Sequence, residues 1–445
     1  MQRVLAAEAP QYVGQRVQFA GWLFQVRRLG EVTFLLLRDR SGVIQVVVDN
    51  QVVVDDSAAK PNGSATLALL SKIRVESVIR VIGTVVAEPR ARLGVEIHQP
   101  VLTVLSPVEE VLPFELNKKI LRPNIDVYLD NAAVGLRHPR KQSIFRLGSG
   151  LLAAFTEYFT SCGFIQIKTP KIVAAATEGG ANLFAIEYFE RIAYLAQSPQ
   201  LYKQIMVGAL ERVFEIGPVF RAEPHYTTRH INEFTSIDAE LGFIDNFADL
   251  MDLLTNLLRA VFETVSRTCR DELDEIGVPL PRISQIPRLT FAAAQNLIQE
   301  RYREDCHGEP DLSPQHERWL CEYAMAELDS EFLFVTHYPT IKRPFYTMAD
   351  PSEPARSLSF DLLFRGTELV TGGQRINDYA SLVASMAMRK IDTAGFKGYL
   401  QAFRFGMPPE GGFAIGYERL LARLVGAENI RETTLFPRDV GRITP

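Results

Sequence analysis

Residues 213–241 read VFEIGPVFRAEPHYTTRHINEFTSIDAEL, and this stretch decides the fold. Two β-prone runs, RVFEIGPVFRAE and FTSIDAELGF, flank a polar connection, which is the pattern of an antiparallel hairpin. Arg221 and Glu223 alternate along the first run and so share one of its faces. The connection is crowded with hydrogen-bonding groups: His225, Tyr226, Thr227, Thr228, Arg229 and His230. Such a hairpin can set two arginines and an imidazole around a polyphosphate, because fork-shaped guanidinium donors match phosphate oxygens. A solvated tip with surface ion pairs has the same composition, so the stretch by itself leaves both readings open.

Downstream, SFDLLFRG (359–366) and TELVTGG (367–373) read as further strands, with Asp361 and Glu368 seven residues apart on neighbouring segments. Two carboxylates beside a phosphate site are hard-oxygen ligands for Mg²⁺; paired surface acids are the alternative. The stretch FGMPPEGGFAIGYERL (405–420) leads a Gly-rich segment into a helix carrying Arg419, where backbone amides and a guanidinium can approach phosphate. Helical periodicity marks residues 144–164, 248–269 and 416–426. FIQIKTPKIV (164–173) reads as a strand. Strands joined by short Gly/Pro turns, with helices grouped elsewhere, predict an α+β fold: an antiparallel sheet flanked by helices.

The first hundred residues differ in character. RVQFAGWLFQV, VTFLLLRDR, VIQVVVD, IRVIGTVVAE and VEIHQPVLTVL are rich in Val, Ile and aromatics and are separated by Gly-containing turns. Five strands in that length suit a small closed barrel; an OB barrel that binds nucleic acid and a ligand-free SH3-like barrel both fit. Residues 106–140, broken by prolines, read as a linker. The domain organisation expected is a barrel over 1–105, a linker over 106–140 and the α+β domain over 141–445.

Composition bounds the function. The chain has 445 residues, 47% hydrophobic and 23% charged, as in a globular protein of two or three domains. Its net charge of −5 is uneven: residues 1–105 hold 12 Lys/Arg against 9 Asp/Glu, about +3, which leaves the remainder near −8. A local basic face is enough to steer a polyanion. Four scattered cysteines (Cys162, Cys269, Cys306, Cys321) form no CxxC pair, and Cys306-His307 lacks metal-ligand spacing, so a reducing cytoplasm is expected. No run of apolar residues is long enough for a signal peptide or membrane span, so no membrane association is expected.

Taken in order, the three chemical pieces resemble the three motifs of class II aminoacyl-tRNA synthetases, and the chain as a whole is similar to the archaeal-type aspartyl branch of subclass IIb. The likeness runs from AGWLFQVRRLG (20–30) through TPKIVAAATEGGANLF (169–184), LAQSPQLYKQ (195–204) and the hairpin to GMPPEGGFAIGYERL and LFPRD (435–439). It implies an N-terminal OB domain that binds the anticodon, a class II catalytic domain, a homodimer built through Pro170, and ATP, L-aspartate and tRNA-Asp as substrates. Aspartyl-adenylate forms first, and the acyl group then passes to the terminal 3′-hydroxyl.

The resemblance also assigns residues. Arg221 would hold the ATP α-phosphate with Glu223 also at the nucleotide, Phe234 would stack on adenine, and Arg229, His230 and Arg419 would face the phosphates or adenine. Asp361 and Glu368 would hold Mg²⁺. Lys203 and Arg375 would bind the substrate side-chain carboxylate, with Glu178, Gln200, Asp238 and Thr371 around the rest of the amino acid. Two cations suit a carboxylate and fit an amide poorly, which favours aspartate over asparagine. Phe34 and Gln45 match the residues that stack on and hydrogen-bond the central anticodon base; barrel core is the alternative for Phe34. Phe24 and Arg92 stand where discriminating enzymes tend to have Trp and Lys and relaxed ones His and Pro. That leans toward tRNA-Asp alone, with charging of tRNA-Asn as the alternative. Three positions depart from the family: Glu410 for the usual histidine, which puts negative charge near the phosphates, and Pro224 and Tyr226 in the hairpin loop.

Overall fold

The computed structural model describes residues 2–30, 32–48, 53–54, 73–121, 123–175 and 182–445. They divide into two compact units, Met1–His138 and Pro139–Pro445.

In the first unit, strands β1 (Arg16–Leu29), β2 (Val32–Arg38), β3 (Val43–Val48), β4 (Val78–Ala87) and β5 (Val95–Ser106) run in the order β3-β2-β1-β4-β5. β3 pairs with β5 in parallel, Gln45 opposite Glu96, which closes the barrel and removes its edges. Alternation fills the interior with Phe19, Leu23, Leu35, Leu37, Ile44, Val46, Val81 and Ile97. Leu23 faces Leu37 and Gln25 faces Leu36, so Phe24 is the extra residue of a β-bulge, a device that bends a strand and re-aims a side chain. The stretch read as a linker carries two short helices, Ile125–Asp130 and Ala132–Gly135; the Asn124 side chain caps the first by accepting from the Asp126 amide at 2.8 Å.

The second unit is built on an eight-stranded sheet. Its strands are β6 (Ile165–Gln166), β7 (Arg212–Phe220), β8 (Glu233–Gly242), β9 (Arg288–Thr290), β10 (Phe332–Thr336), β11 (Ser359–Phe364), β12 (Thr367–Gln374) and β13 (Glu410–Gly416). The order is β9-β10-β11-β12-β13-β8-β7-β6, antiparallel throughout except at the two ends. Long helices α1 (Pro139–Ser161) and α3 (Ala248–Thr268) bury their apolar stripes in its core. Leu147, Leu151, Phe155 and Phe159 recur every four residues on α1, and Leu250, Leu254, Leu258, Val261 and Val265 recur every three or four on α3. The fold is α+β, as expected. Helices α2 (Gln200–Leu210), α4 (Pro314–Leu328), α5 (Lys397–Arg404) and α6 (Tyr417–Val425) place the residues described below.

Residues 164–173 differ from the expected continuous strand. Only Ile165–Gln166 and Ile172–Val173 are extended ladders, because Pro170 has no N–H to give and biases its neighbour away from regular pairing. No helix among the described residues is long and apolar enough to cross a membrane.

Candidate active site

The β7–β8 hairpin pairs Val219 with Phe234 and Phe220 with Glu233. The expected first strand stops at Phe220, so Arg221 and Glu223 lie just beyond it rather than inside it. They stay extended because the Arg221 amide donates to the Asn232 carbonyl at 2.9 Å. The Asn232 side chain in turn donates to the carbonyls of Arg221 and Glu223, at 2.7 and 3.1 Å. A cavity opens above this end of the sheet, lined by Arg221, Glu223, Arg229, His230, Phe234, Glu368, Thr371 and Arg419. The Arg221 guanidinium lies 5.5 Å from the Phe234 ring centroid. Arg229 pairs with Glu317 of α4 at 3.0 Å, and Arg419 of α6 donates to the Glu368 carbonyl at 2.6 Å. Burial lowers the affinity of His230 for a proton, Glu223 at 3.8 Å opposes this, and Arg419 and Arg229 add to it; the net direction is down. Three guanidiniums and an imidazole thus surround one polar cavity, which is the chemistry a polyphosphate requires.

The hairpin loop is held from behind. Arg431, fully buried, donates to the Thr227 carbonyl at 2.8 Å, pairs with Asp439, and lies 4.3 Å from the ring centroid of Tyr226. The Ile430 amide donates to Thr228, and the Asn232 amide to Arg438. Tyr226 therefore has a structural use as a lid on Arg431. Pro224 is exposed at the tip.

A buried cluster of charged side chains lies next to the cavity. Lys203 of α2 is 1% exposed and pairs with Asp238 at 3.0 Å and Glu240 at 3.1 Å. Arg375 donates to Glu240 at 2.7 Å and to the Gly412 carbonyl at 3.0 Å. Burial works against the charge on Lys203, and Asp238 and Glu240 outweigh it, so its pKa is raised. Burial pushes Glu240 up, and Arg375 followed by Lys203 more than reverses that. Gly412 is required here: a Cβ would sit 2.2 Å from a Glu240 carboxylate oxygen. Ser236 joins the two spaces, lining the cavity while its hydroxyl donates to Asp238. Gln200 is buried one turn from Gln204 and donates to it at 3.1 Å.

Several expectations change. Glu410 does not face the phosphates: it is fully buried behind Arg375 and takes a hydrogen bond from Gln204 at 3.0 Å. Burial, reinforced by Glu240, pushes its carboxyl well above the ordinary range, which disfavours a negative charge there. Asp361 is not among the cavity-lining residues; Arg343 holds its carboxylate at 2.8 Å. Burial raises Asp361 to about 6 against the pull of Arg343. The cavity wall carries carboxylates from Glu223, Glu317, Glu368 and Glu418, and the Thr371 hydroxyl donates to the Glu368 carboxylate at 3.0 Å. Glu178 lies outside the described residues.

On the barrel, Phe34 and Gln45 are half-buried on outward positions between the core residues Leu35 and Ile44–Val46, so Phe34 is not barrel core. The Gln45 amide donates to Glu96 at 2.9 Å, which in turn meets His98 at 2.7 Å. Phe24 packs under Arg38, 5.4 Å from ring to guanidinium, and Arg92 is exposed in the turn before β5.

Sequence reasoning missed Glu240, Gln204, Glu317, Arg343 and Arg431. The first two carried a signal: Glu240 shares a strand face with Ser236 and Asp238, and Gln204 shares a helix face with Gln200. The other three act across long sequence separations and left none.

Residues 124–440 match the family described as tRNA synthetases class II (D, K and N), and residues 17–105 match the OB-fold nucleic acid binding domain. The chain is 45% identical over 447 residues to the aspartate–tRNA(Asp/Asn) ligase of Thermus thermophilus, covering 100% of both. It is 41% identical over 434 residues to the aspartate–tRNA(Asp) ligase of Pyrococcus abyssi, covering 97% of each. Among solved structures it is similar to the asparaginyl-tRNA synthetase of Pyrococcus horikoshii complexed with asparaginyl-adenylate, with a TM-score of 0.91, 30% identity and all of both chains covered.

Proposed function

The chain belongs to the class II aminoacyl-tRNA synthetases of the Asp, Lys and Asn group, and from that premise we infer that it is an ATP-dependent aspartate–tRNA ligase working through the two joined spaces just described. The observation that carries the reading is the buried pair Lys203 and Arg375, linked to the arginine-lined cavity through Asp238 and Ser236. Solved asparaginyl relatives share the whole fold, so it is this pocket, not the architecture, that supports aspartate.

ATP fits the upper cavity, with Phe234 under the adenine and Arg221, Arg229 and Arg419 along the phosphates. Aspartate fits the lower pocket, its side-chain carboxylate on Lys203 and Arg375 and its amino group near Asp238 and Gln200. A substrate α-carboxylate oxygen then attacks the α-phosphorus, the bond to the β-phosphate oxygen breaks, and aspartyl-adenylate and pyrophosphate result. Positioning and charge neutralisation suffice, with no protein nucleophile. Glu368 with Thr371 fits Mg²⁺ better than the Asp361–Glu368 pair does, since Asp361 is occupied by Arg343. When bound, Mg²⁺ supplies further neutralisation of the polyphosphate. The 3′-hydroxyl of the tRNA next attacks the acyl carbon and AMP leaves. The outward Phe34 and Gln45 offer a stacking face and a polar edge to an anticodon base. Exposed Ile165 and Ile172 around Pro170 suit a homodimer surface in a cytoplasmic enzyme.

The tRNA range has two readings. Phe24 and Arg92 favour tRNA-Asp alone, whereas the 45% identity to a ligase named for both tRNAs favours charging of tRNA-Asn as well. Separate reactions with purified tRNA-Asp and tRNA-Asn decide between them. In the same assay Arg221→Ala and Lys203→Ala are expected to lose at least about 100-fold in aspartate-dependent ATP–pyrophosphate exchange. Wild-type exchange in either variant overturns the site assignment.

A further inference from the structure

Glu410 is a buried carboxyl beside the lower pocket that the reaction as derived does not use and that, unlike Glu240, makes no ion pair with Lys203 or Arg375. It opens β13, is fully buried, and is hydrogen-bonded through one oxygen only: Gln204 donates to Oε1 at 3.0 Å, and Oε2 has no partner. The Gln204 amide has its orientation fixed, because its carbonyl receives both Gln200 and the Tyr399 hydroxyl, each at 3.1 Å. Oε1 is therefore an acceptor, and Oε2 is the atom that can hold or release a proton without breaking any hydrogen bond.

The groups facing Glu410 come from four elements: Glu240 on β8, Arg375 after β12, Lys203 and Gln204 on α2, and Tyr399 on α5. Within the pocket Lys203 and Arg375 are matched by Asp238 and Glu240. The set is balanced only while Glu410 is uncharged. An ionised Glu410 would give a dry pocket a net negative charge just where a substrate with two carboxylates must enter.

We propose that Glu410 is a positioning residue that sets aspartate affinity: as a neutral carboxyl it holds Gln204, and through it Gln200, while leaving Lys203 and Arg375 free to exchange Glu240 and Asp238 for the substrate carboxylate. This rests on the aspartate reading above. Burial and Glu240 favour the protonated form of Glu410, and raising the pH works against it.

The test is the pH dependence of KM for aspartate and for ATP in ATP–pyrophosphate exchange, followed upward in pH to the limit at which the enzyme stays folded, with wild type, Glu410→Gln and Gln204→Leu. The wild-type KM for aspartate is expected to rise with pH, while KM for ATP moves less than about twofold. Glu410→Gln, which keeps the acceptor but cannot ionise, is expected to hold KM for aspartate flat. Gln204→Leu removes a donor that favours the ionised form, so it shifts the rise to higher pH. If Glu410→Gln does not fold, the wild-type split between the two KM profiles and the Gln204→Leu shift still decide. A wild-type KM for aspartate that is flat over the whole range, or a rise shared by Glu410→Gln, overturns the inference and leaves the aspartate reading standing. An enzyme with no aspartate-dependent exchange at any pH overturns both.

Discussion

Glu418 is the residue at which protonation and folding are most directly linked. Burial pushes its carboxyl up to about 7, against the pull of the Thr235 amide that donates to it at 3.0 Å. Its ordinary value is 4.5, so between these limits the folded protein keeps a proton that the unfolded chain has already lost. The contribution to stability is therefore whole below about pH 4.5, falls as the pH rises toward about 7, and is level beyond, a change on the order of 3 kcal/mol. Glu418→Gln keeps an acceptor for Thr235 and abolishes the titration. Its Tm relative to wild type is expected to climb between pH 4.5 and 7.5; a pH-independent gap would show that Glu418 is not held protonated. At this scale the sequence was informative about which side chains carry chemistry and poor about their partners. Lys203, Arg375 and Arg221 stood out in their motifs. The engagement of Asp361 by Arg343, eighteen residues away, had no local trace, and neither did the burial of Glu410, which a Pro-Pro-Glu-Gly-Gly stretch presents as loop.

The hairpin between β7 and β8 is held in place partly from within, by Asn232, and partly by Arg431, which lies far away in sequence. Its loop hangs on the Asn232 amide and on Arg431, and the Tyr226 ring covers the latter. A partly exposed cation–π contact is worth about 1 kcal/mol, so Tyr226→Ala is expected to raise KM for ATP about fivefold and leave KM for aspartate alone. Initial rates with each substrate varied in turn measure this. An equal rise in both would mean that the loop's order does not act on the nucleotide. Period-two alternation made the barrel strands and the hairpin legible, and four-residue periodicity did the same for α1 and α3. Short strands were not legible: Pro170 interrupts residues 164–173, and Phe332–Thr336, buried along its whole length, has no alternation to read.

The whole chain joins a small barrel and a catalytic unit, each with its own core, so binding of the anticodon and formation of the adenylate can be tested separately. Phe34→Ala removes the outward ring. It is expected to raise KM for tRNA-Asp by roughly 5- to 100-fold, the 1–3 kcal/mol of a lost base stack, with tRNA-independent exchange unchanged. A normal tRNA KM would place the anticodon elsewhere. The most direct test of the central claim is ATP–pyrophosphate exchange with aspartate against asparagine as the only amino acid. The Lys203–Arg375 pocket predicts exchange with aspartate and a preference over asparagine of at least about 100-fold in kcat/KM, the cost of leaving buried charge unmatched. Equal use of both, or a preference for asparagine, would contradict it.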